Sequence, residues 1–296
     1  MIKYDDDINI NEMLKGINIP TPPQIVADLQ MEMSQAEPDM NAMTDMISSD
    51  VGLSGAILKI VNSPFYAGRG SISSVSQAVM HLGMKTVIEI VNTHCLREAC
   101  TPEDLPKNTY SALIRFWDTA TDVAKLSAMT SRVLNLSPKA NVYTLGLFHN
   151  VGIALLASKF DDYFSVMRDS YNQKSLSISD YENKILDTNH AVVGYYVARA
   201  WKLDKQICDL IGKHHRHDEI LAVKNKDALD GQMLCVLKIA EHITGLHRIL
   251  GDCDLDYEWQ VIEQKVVEVT GISSIELEEL ELQAKENGIG SQQYFN

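Results

Sequence analysis

The chain of 296 residues contains little of the material on which several protein classes depend. Its five cysteines are an odd number without a Cys-x-x-Cys pair, which argues against a disulfide framework and against a cysteine zinc site. No run of about 18 apolar residues occurs, so we expect no membrane span. The acidic N-terminus also lacks the apolar segment of a secretory signal. These absences predict a globular, cytoplasmic protein with reduced thiols.

Positive charge is also scarce, because 26 Lys and Arg residues face 40 Asp and Glu residues, for a formal net charge of −14. The deficit lies at the two ends: residues 1–50 carry −8, residues 252–286 carry −9, and the remainder carries +3. Binding to nucleic-acid phosphates needs a concentrated basic surface. We therefore expect no nucleic-acid partner, although a small basic pocket in the middle of the chain remains compatible with these charges.

Apolar residues recur with a helical period along almost the whole sequence, and no sustained alternation typical of a strand occurs. A long helix is expected over 109–134, with Leu113, Phe116 and Trp117 on its inner face. The pattern predicts an all-α fold, a compact bundle of about a dozen helices.

The loop 101–108, which contains two prolines, is expected to separate a region of shorter helices from a region of longer helices. Beyond it, Ser179 and Glu182 fit a helix capping box, and one helix is expected over 231–249. The predicted organisation has three parts: an N-terminal short-helix subdomain 1–108, a helical subdomain 109–230 and an acidic helical extension 231–296.

Four of the nine histidines lie near predicted helix ends in the second half of the chain: His149, His190, His214 and His215. Helical bundles hold metal ions with histidine and carboxylate side chains brought together in this way. The gaps between these residues match no compact metal motif, so satisfied or solvent-facing histidines are the alternative interpretation.

The segment Leu145–Gly152 resembles the GLLHDIG signature of the HD superfamily of metal-dependent phosphohydrolases. Asn189–Gly194 and the pair His214-His215 are similar to its later histidine regions. Motifs in the first half narrow the resemblance to the HDOD family, the HD-related output domain: Ile19–Pro23, Ser49–Ser54, Asn62–Tyr66, Ser74–Gly83 and Phe116-Trp117. The resemblance spans about residues 15 to 220 and implies an all-α bacterial module of signal transduction, including cyclic-di-GMP networks.

Three positions depart from the superfamily pattern. Asn150 stands where an aspartate usually bridges two metals, Asp118 or Thr119 stands where the first histidine is expected, and Glu241 replaces a late aspartate. Asn offers a neutral oxygen, so two close cations would lack charge compensation. The resemblance therefore implies no confidently assigned catalytic residue, no required cofactor and, at most, a residual divalent metal site on this ligand set: His149, His190, His214, His215 and Glu241.

The function expected from this resemblance is a non-catalytic or weakly catalytic signalling module that binds a protein or a small regulatory ligand near the four histidines. The alternative is a metal-dependent phosphohydrolase acting on a nucleotide or cyclic dinucleotide. In that case Asn150 would orient water, and Lys213 or Arg216 would contact phosphate. Arg69, in a loop with two glycines, is a third candidate for an anion contact, unless that loop is simply a turn between helices.

Overall fold

A computed structural model of the chain describes residues 14–63, 65–66, 71–136, 141–221 and 229–290. In these ranges helix is the only regular secondary structure, which confirms the all-α prediction. The described helices are somewhat more numerous than the dozen or so expected from the sequence. In chain order the helices are α1 Gln24–Met33, α2 Met40–Ser49, α3 Val51–Val61, α4 Val75–Leu82, α5 Met84–Ala99, α6 Lys107–Val133, α7 Val142–Phe148, α8 Gly152–Lys159, α9 Tyr163–Tyr171, α10 Ile178–Leu186, α11 His190–Ala200, α12 Lys205–Lys213, α13 His217–Leu221, α14 Leu229–Thr244, α15 Leu246–Ile249, α16 Tyr257–Thr270 and α17 Ser274–Glu286. None of these helices is long and apolar enough to cross a bilayer.

The chain divides into two compact units. The smaller one, residues 21–100, contains α1 to α5 around a core of aliphatic side chains. Three of its helices, α2, α3 and α4, begin at short polar residues: the Asp50 side chain accepts from the backbone N–H of Leu53, and Ser74 caps α4 in the same way. Gly83, with a φ of 81°, separates α4 from α5.

The larger unit comprises residues 101–296 together with the described part of residues 1–20. Its centre is α6, which packs against α7 and α14, while α11 packs against α8 and α12. Two buried tryptophans tie the ends of this unit to its core. Trp117 Nε1 donates to Thr101 Oγ1 over 2.8 Å, and Trp201 Nε1 donates to the carbonyl oxygen of Pro20 over 3.1 Å. This arrangement places the functional candidates of the second half around one core.

Two local expectations from the sequence are wrong. The helix expected over 231–249 is broken at Gly245, whose φ of 74° lies in the left-handed region and separates α14 from α15. The capping residue of α10 is Ser177, whose hydroxyl accepts from the N–H of Asp180. Ser179 and Glu182 are instead buried, and Glu182 belongs to the site described below.

Candidate metal centre

Four helices bring the five predicted ligand residues into one pocket. His149 directly follows α7, His190 begins α11, His214 and His215 directly follow α12, and Glu241 lies in α14. All five are buried, with between 0% and 7% of their surface exposed. The structure therefore places imidazoles that are 41 and 24 residues apart in the sequence around a common interior point.

Close backbone approaches at two glycines allow this convergence. A Cβ atom on Gly146 of α7 would lie 2.9 Å from Cα of Ala124 on α6. A Cβ atom on Gly152 would overlap the carbonyl oxygen of His190. Because His149 lies between these glycines, its position depends on both contacts, and glycine is the residue that permits them.

Replacing Gly152 with alanine should lower the free energy of unfolding by about 1–3 kcal/mol, because the methyl group forces the start of α8 away from His190. The matched control is Gly55→Ala in α3, where an added Cβ meets no atom within 4 Å. That variant should be stabilised by about 0.4–1 kcal/mol. Urea unfolding measures both changes, and equal stability of the two variants would contradict the close approach at Gly152.

Two of the imidazoles donate a hydrogen bond to a backbone carbonyl. Nδ1 of His149 is 2.7 Å from the carbonyl oxygen of Gly146, and Nδ1 of His214 is 2.7 Å from that of Ile211. A carbonyl oxygen only accepts, so Nδ1 carries the hydrogen in both rings. In their neutral forms, both rings therefore present an unprotonated Nε2 to the pocket.

The other two imidazoles donate to buried or half-buried carboxylates. Nδ1 of His190 is 2.5 Å from Oε2 of Glu182, whose Oε1 accepts from the Tyr163 hydroxyl. Nδ1 of His215 is 2.9 Å from Oε1 of Glu258. A hydrogen bond from the outer nitrogen to a carboxylate or carbonyl is the arrangement that orients metal-binding histidines in proteins.

The inner nitrogens face one another at close range. Nε2 of His190 is 3.2 Å from Nε2 of His214 and 3.1 Å from Nε2 of His215. Nε2 of His149 is 3.2 Å from Oε1 of Glu241, yet both atoms are buried without a hydrogen-bond partner. Electron pairs that converge in this way repel one another unless a proton or a metal cation lies between them. The pocket thus has the donor set of a cation site.

An internal ammonium group already neutralises part of this pocket. Nζ of the buried Lys238 is 2.7 Å from Oε2 of Glu241 and 3.0 Å from Oε2 of Glu258. Burial opposes the charge of Lys238, but the two carboxylates outweigh it and raise the pKa of the ammonium. One oxygen of each carboxylate is therefore committed to lysine.

The protonation states suit ligand binding. Burial lowers the pKa of His214 well below its usual value, and neighbouring cationic groups add to the effect. Burial also lowers the pKa of His215, against the opposing influence of Glu258. For Glu241 and Glu258, burial would raise the pKa, but the ammonium of Lys238, joined at Glu258 by the Nδ1–H of His215, holds it below the usual range. Neutral imidazoles and ionised carboxylates are the forms that bind metals.

The donor set fits one divalent cation better than two. Asn150, which follows His149 directly, is neutral, and its buried Oδ1 has no hydrogen-bond partner, so this position adds no negative charge. Glu241 has one uncommitted oxygen, Oε1, since Oε2 is bound to Lys238. Imidazoles alone do not compensate a second positive ion beside the first and beside the ammonium.

Three residues that contact the predicted ligands are not predicted by the sequence motifs: Glu182, Lys238 and Glu258. The sequence pattern puts Glu182 in a capping box, although Glu182 stands only eight residues before His190. Lys238 carried a usable signal, because it is a lone charge within the apolar stretch Leu234–Ala240 and lies three residues before Glu241. Glu258 carried none, because 43 residues separate it from His215.

The predicted phosphate contacts lie at the edge of the pocket or outside the described residues. Arg216 is half-buried, with Nη1 3.3 Å from Oε1 of Glu219, and Lys213 ends α12 immediately before His214. Arg216 lines a groove of about 530 Å³ that also includes His215 and Glu258. Arg69 lies outside the described residues.

Residues 19–217, which include four of the five predicted ligands, match the HDOD domain family. The chain belongs to the HDOD domain family. This confirms the resemblance drawn from the motifs. The match ends before Lys238, Glu241 and Glu258, so part of the pocket comes from helices beyond the HDOD segment.

Solved structures share this fold. An HDOD domain protein of unknown function from Geobacter sulfurreducens is 22% identical with a TM-score of 0.62, covering 92% of this chain and 97% of its own. A Shewanella amazonensis protein, provisionally named a phosphohydrolase, is 20% identical with a TM-score of 0.66, and the match covers 95% of this chain and 94% of that one.

An uncharacterised protein of Treponema pallidum is similar in sequence: it is 22% identical over 199 residues, which are 67% of this chain but only 38% of that protein's length.

Proposed function

We propose that this HDOD protein is a signalling module that acts by binding a protein or a small regulatory ligand, and that it is not an efficient phosphohydrolase. Its imidazole pocket would hold at most one divalent cation, bound by His149, His190, His214, His215 and Glu241. Such a cation would hold the ends of α7, α11 and α12 together with α14 as a rigid platform.

The observation that carries this proposal is the ammonium of Lys238 between Glu241 and Glu258. Hydrolysis of a phosphate ester by paired metals depends on carboxylates that compensate both ions while these activate water and stabilise the phosphoryl charge. Here a fixed positive charge takes one oxygen of each carboxylate, and Asn150 adds no negative charge. The pocket therefore supports binding more readily than turnover.

The alternative, a metal-dependent phosphohydrolase acting on a nucleotide or cyclic dinucleotide, is favoured by one observation. Nε2 of His214 and Nε2 of His215 lie 3.2 and 3.1 Å from Nε2 of His190. Ligands of a catalytic metal converge in the same way. Metal at this site would supply a Lewis acid that lowers the pKa of bound water. Arg216, beside the groove, would then be available to a phosphate group.

Metal content and turnover separate the two functions. The protein should be prepared without chelator or nickel resin, and the metal held by wild type should be compared with that held by His214→Ala. We expect a difference of at most one equivalent, and no metal-dependent release of product when nucleotides and cyclic dinucleotides are screened with manganese, iron and magnesium.

The matched control is His81→Ala, which removes an exposed histidine in the smaller unit and should leave the metal content unchanged. A loss of two equivalents in His214→Ala, together with turnover that disappears in His149→Ala, would establish the phosphohydrolase instead. Affinity capture from the native host, with wild type and His214→Ala compared, tests whether partner binding depends on the pocket.

A further inference from the structure

A second group of potential metal ligands lies outside the segment that matches the family. His242 lies near the end of α14, His247 lies in α15, and Asp256 is the residue that caps α16. One ligand atom from each residue lies within 4.8 Å of the other two. Nδ1 of His242 is 2.9 Å and Nδ1 of His247 is 3.5 Å from Oδ2 of Asp256.

These separations agree with the geometry of a small tetrahedral ion. Zinc binds imidazole nitrogen and carboxylate oxygen at about 2.0–2.2 Å, which puts neighbouring ligand atoms of a tetrahedron about 3.3–3.5 Å apart. Of the two distances given above, 3.5 Å lies at the upper end of that range, and 2.9 Å lies below its lower end. Small side-chain movements would therefore suffice to seat an ion.

An unpartnered buried nitrogen points into this group. His247 is 6% exposed, and its Nδ1 is buried without a hydrogen-bond partner, despite the nearby carboxylate. Leaving a buried nitrogen unsatisfied is costly, so such an atom indicates a missing ligand. The turn that carries His247 is fixed by Gly251, because a Cβ there would lie 2.5 Å from the carbonyl oxygen of His247.

The other two side chains are also held in place. The ring of His242 stacks on the indole of Trp259, with centroids 4.4 Å apart and an angle of 9° between the planes. Oδ1 of Asp256 accepts from the N–H of Trp259, which leaves Oδ2 for the histidines. Burial would raise the pKa of Asp256, but the hydrogen bonds from His242 and from the backbone N–H of Trp259 keep it below the usual range, so the carboxylate remains ionised.

We propose that His242, His247 and Asp256 form a second metal site, separate from the imidazole pocket, which binds a zinc-like divalent ion through two nitrogens and one oxygen. Imidazole ligands favour such ions over magnesium and calcium. The three ligands border a groove of about 820 Å³, whose lining includes the carboxylates of Glu278 and Glu281. The groove provides the fourth position for water or for a donor group of a ligand.

The site would join three elements of the acidic extension. Its ligands come from α14, from α15 and from the start of α16, and the ion would close the chain between residues 242 and 256. Because α14 also carries Lys238 and Glu241, occupation of the second site would brace one wall of the imidazole pocket. The proposal does not depend on the signalling function, since it concerns different ligands.

The test is a titration of the metal-free, full-length protein with zinc and with cobalt(II), read by calorimetry, by cobalt absorption and by the histidine ring signals in NMR spectra. We expect zinc to shift the signals of His242 and His247 and to raise the melting temperature. Asp256→Asn should weaken this site by about 100-fold or more, because even residues that only orient a ligand contribute about 10–100-fold.

Asparagine caps helices as well as aspartate does, so Asp256→Asn should keep α16 intact, which circular dichroism checks. His247→Gln is the second variant, and His81→Ala is again the matched control. Signals of His190 and His214 report on the imidazole pocket separately. If Asp256→Asn and His247→Gln bind zinc with wild-type affinity and stoichiometry, or if His242 and His247 signals never move, the second site does not exist.

Discussion

Replacing Lys238 with methionine should lower the free energy of unfolding by about 3–5 kcal/mol at neutral pH, which is the usual loss when one partner of a buried ion pair is removed. Methionine fills a similar volume, so the loss would arise from charge. Glu241 and Glu258 would both remain buried without the ammonium that compensates them. Urea or thermal unfolding measures the difference between this variant and wild type.

The pH dependence of that difference gives a second check. In wild type, Lys238 and its neighbours hold the pKa of Glu241 and Glu258 below the ordinary value, so their contribution to stability is complete above that value and is lost as the pH falls through the folded pKa. The gap between wild type and Lys238→Met should therefore be widest near neutral pH and shrink in acid, where both carboxylates become protonated in the variant.

A matched lysine is available for comparison. Lys265 pairs with Asp218 on the surface, and Lys265→Met should change stability by no more than about 1 kcal/mol. Adding Glu258→Gln to Lys238→Met should recover part of the loss, because one uncompensated charge disappears. A loss of less than about 1 kcal/mol in Lys238→Met, without any pH dependence, would show that the ammonium does not balance these carboxylates.

Glu182→Gln should weaken divalent metal binding at the imidazole pocket by about 10–100-fold and lower stability by about 1.5–3 kcal/mol. Glu182 accepts from Nδ1 of His190 and from the Tyr163 hydroxyl. A glutamine amide has only one oxygen for these donors and presents its own N–H groups to the other. His190 would then lose the bond that keeps Nε2 free and pointed inward.

Tyr163→Phe separates this effect from a general loss of packing. It removes one donor to Glu182 but leaves the bond to His190, so it should cost about 0.5–1.5 kcal/mol and leave metal affinity within a few-fold of wild type. Calorimetric titration with zinc compares the three proteins. Equal affinities for wild type and Glu182→Gln would mean that Glu182 does not set the tautomer of a metal ligand.

The sequence was most informative where local patterns decide the structure. Helical periodicity is visible in single segments, and the long helix expected over 109–134 matches α6, Lys107–Val133, to within two residues at each end. The break at Gly245 was missed, because a lone glycine fits a helical pattern as well as it fits a left-handed turn.

The site was only partly visible for a related reason. Motifs grouped His149, His190, His214 and His215, and the structure places them together. The groups that orient or neutralise them come from elsewhere in the chain, and nothing in the local sequence of Glu258 reveals that it faces His215. Three-dimensional proximity between distant segments carries that information, so a single sequence without its fold does not supply it.

The outer partner of His215 and the ammonium beside Glu241 both lie after residue 217, where the family match ends. A fragment trimmed to the matched segment would lose α14 and α16 and expose an interior that those helices cover. The interior of this protein therefore depends on helices that lie beyond the matched segment, because residues 19–217 alone lack both Lys238 and Glu258.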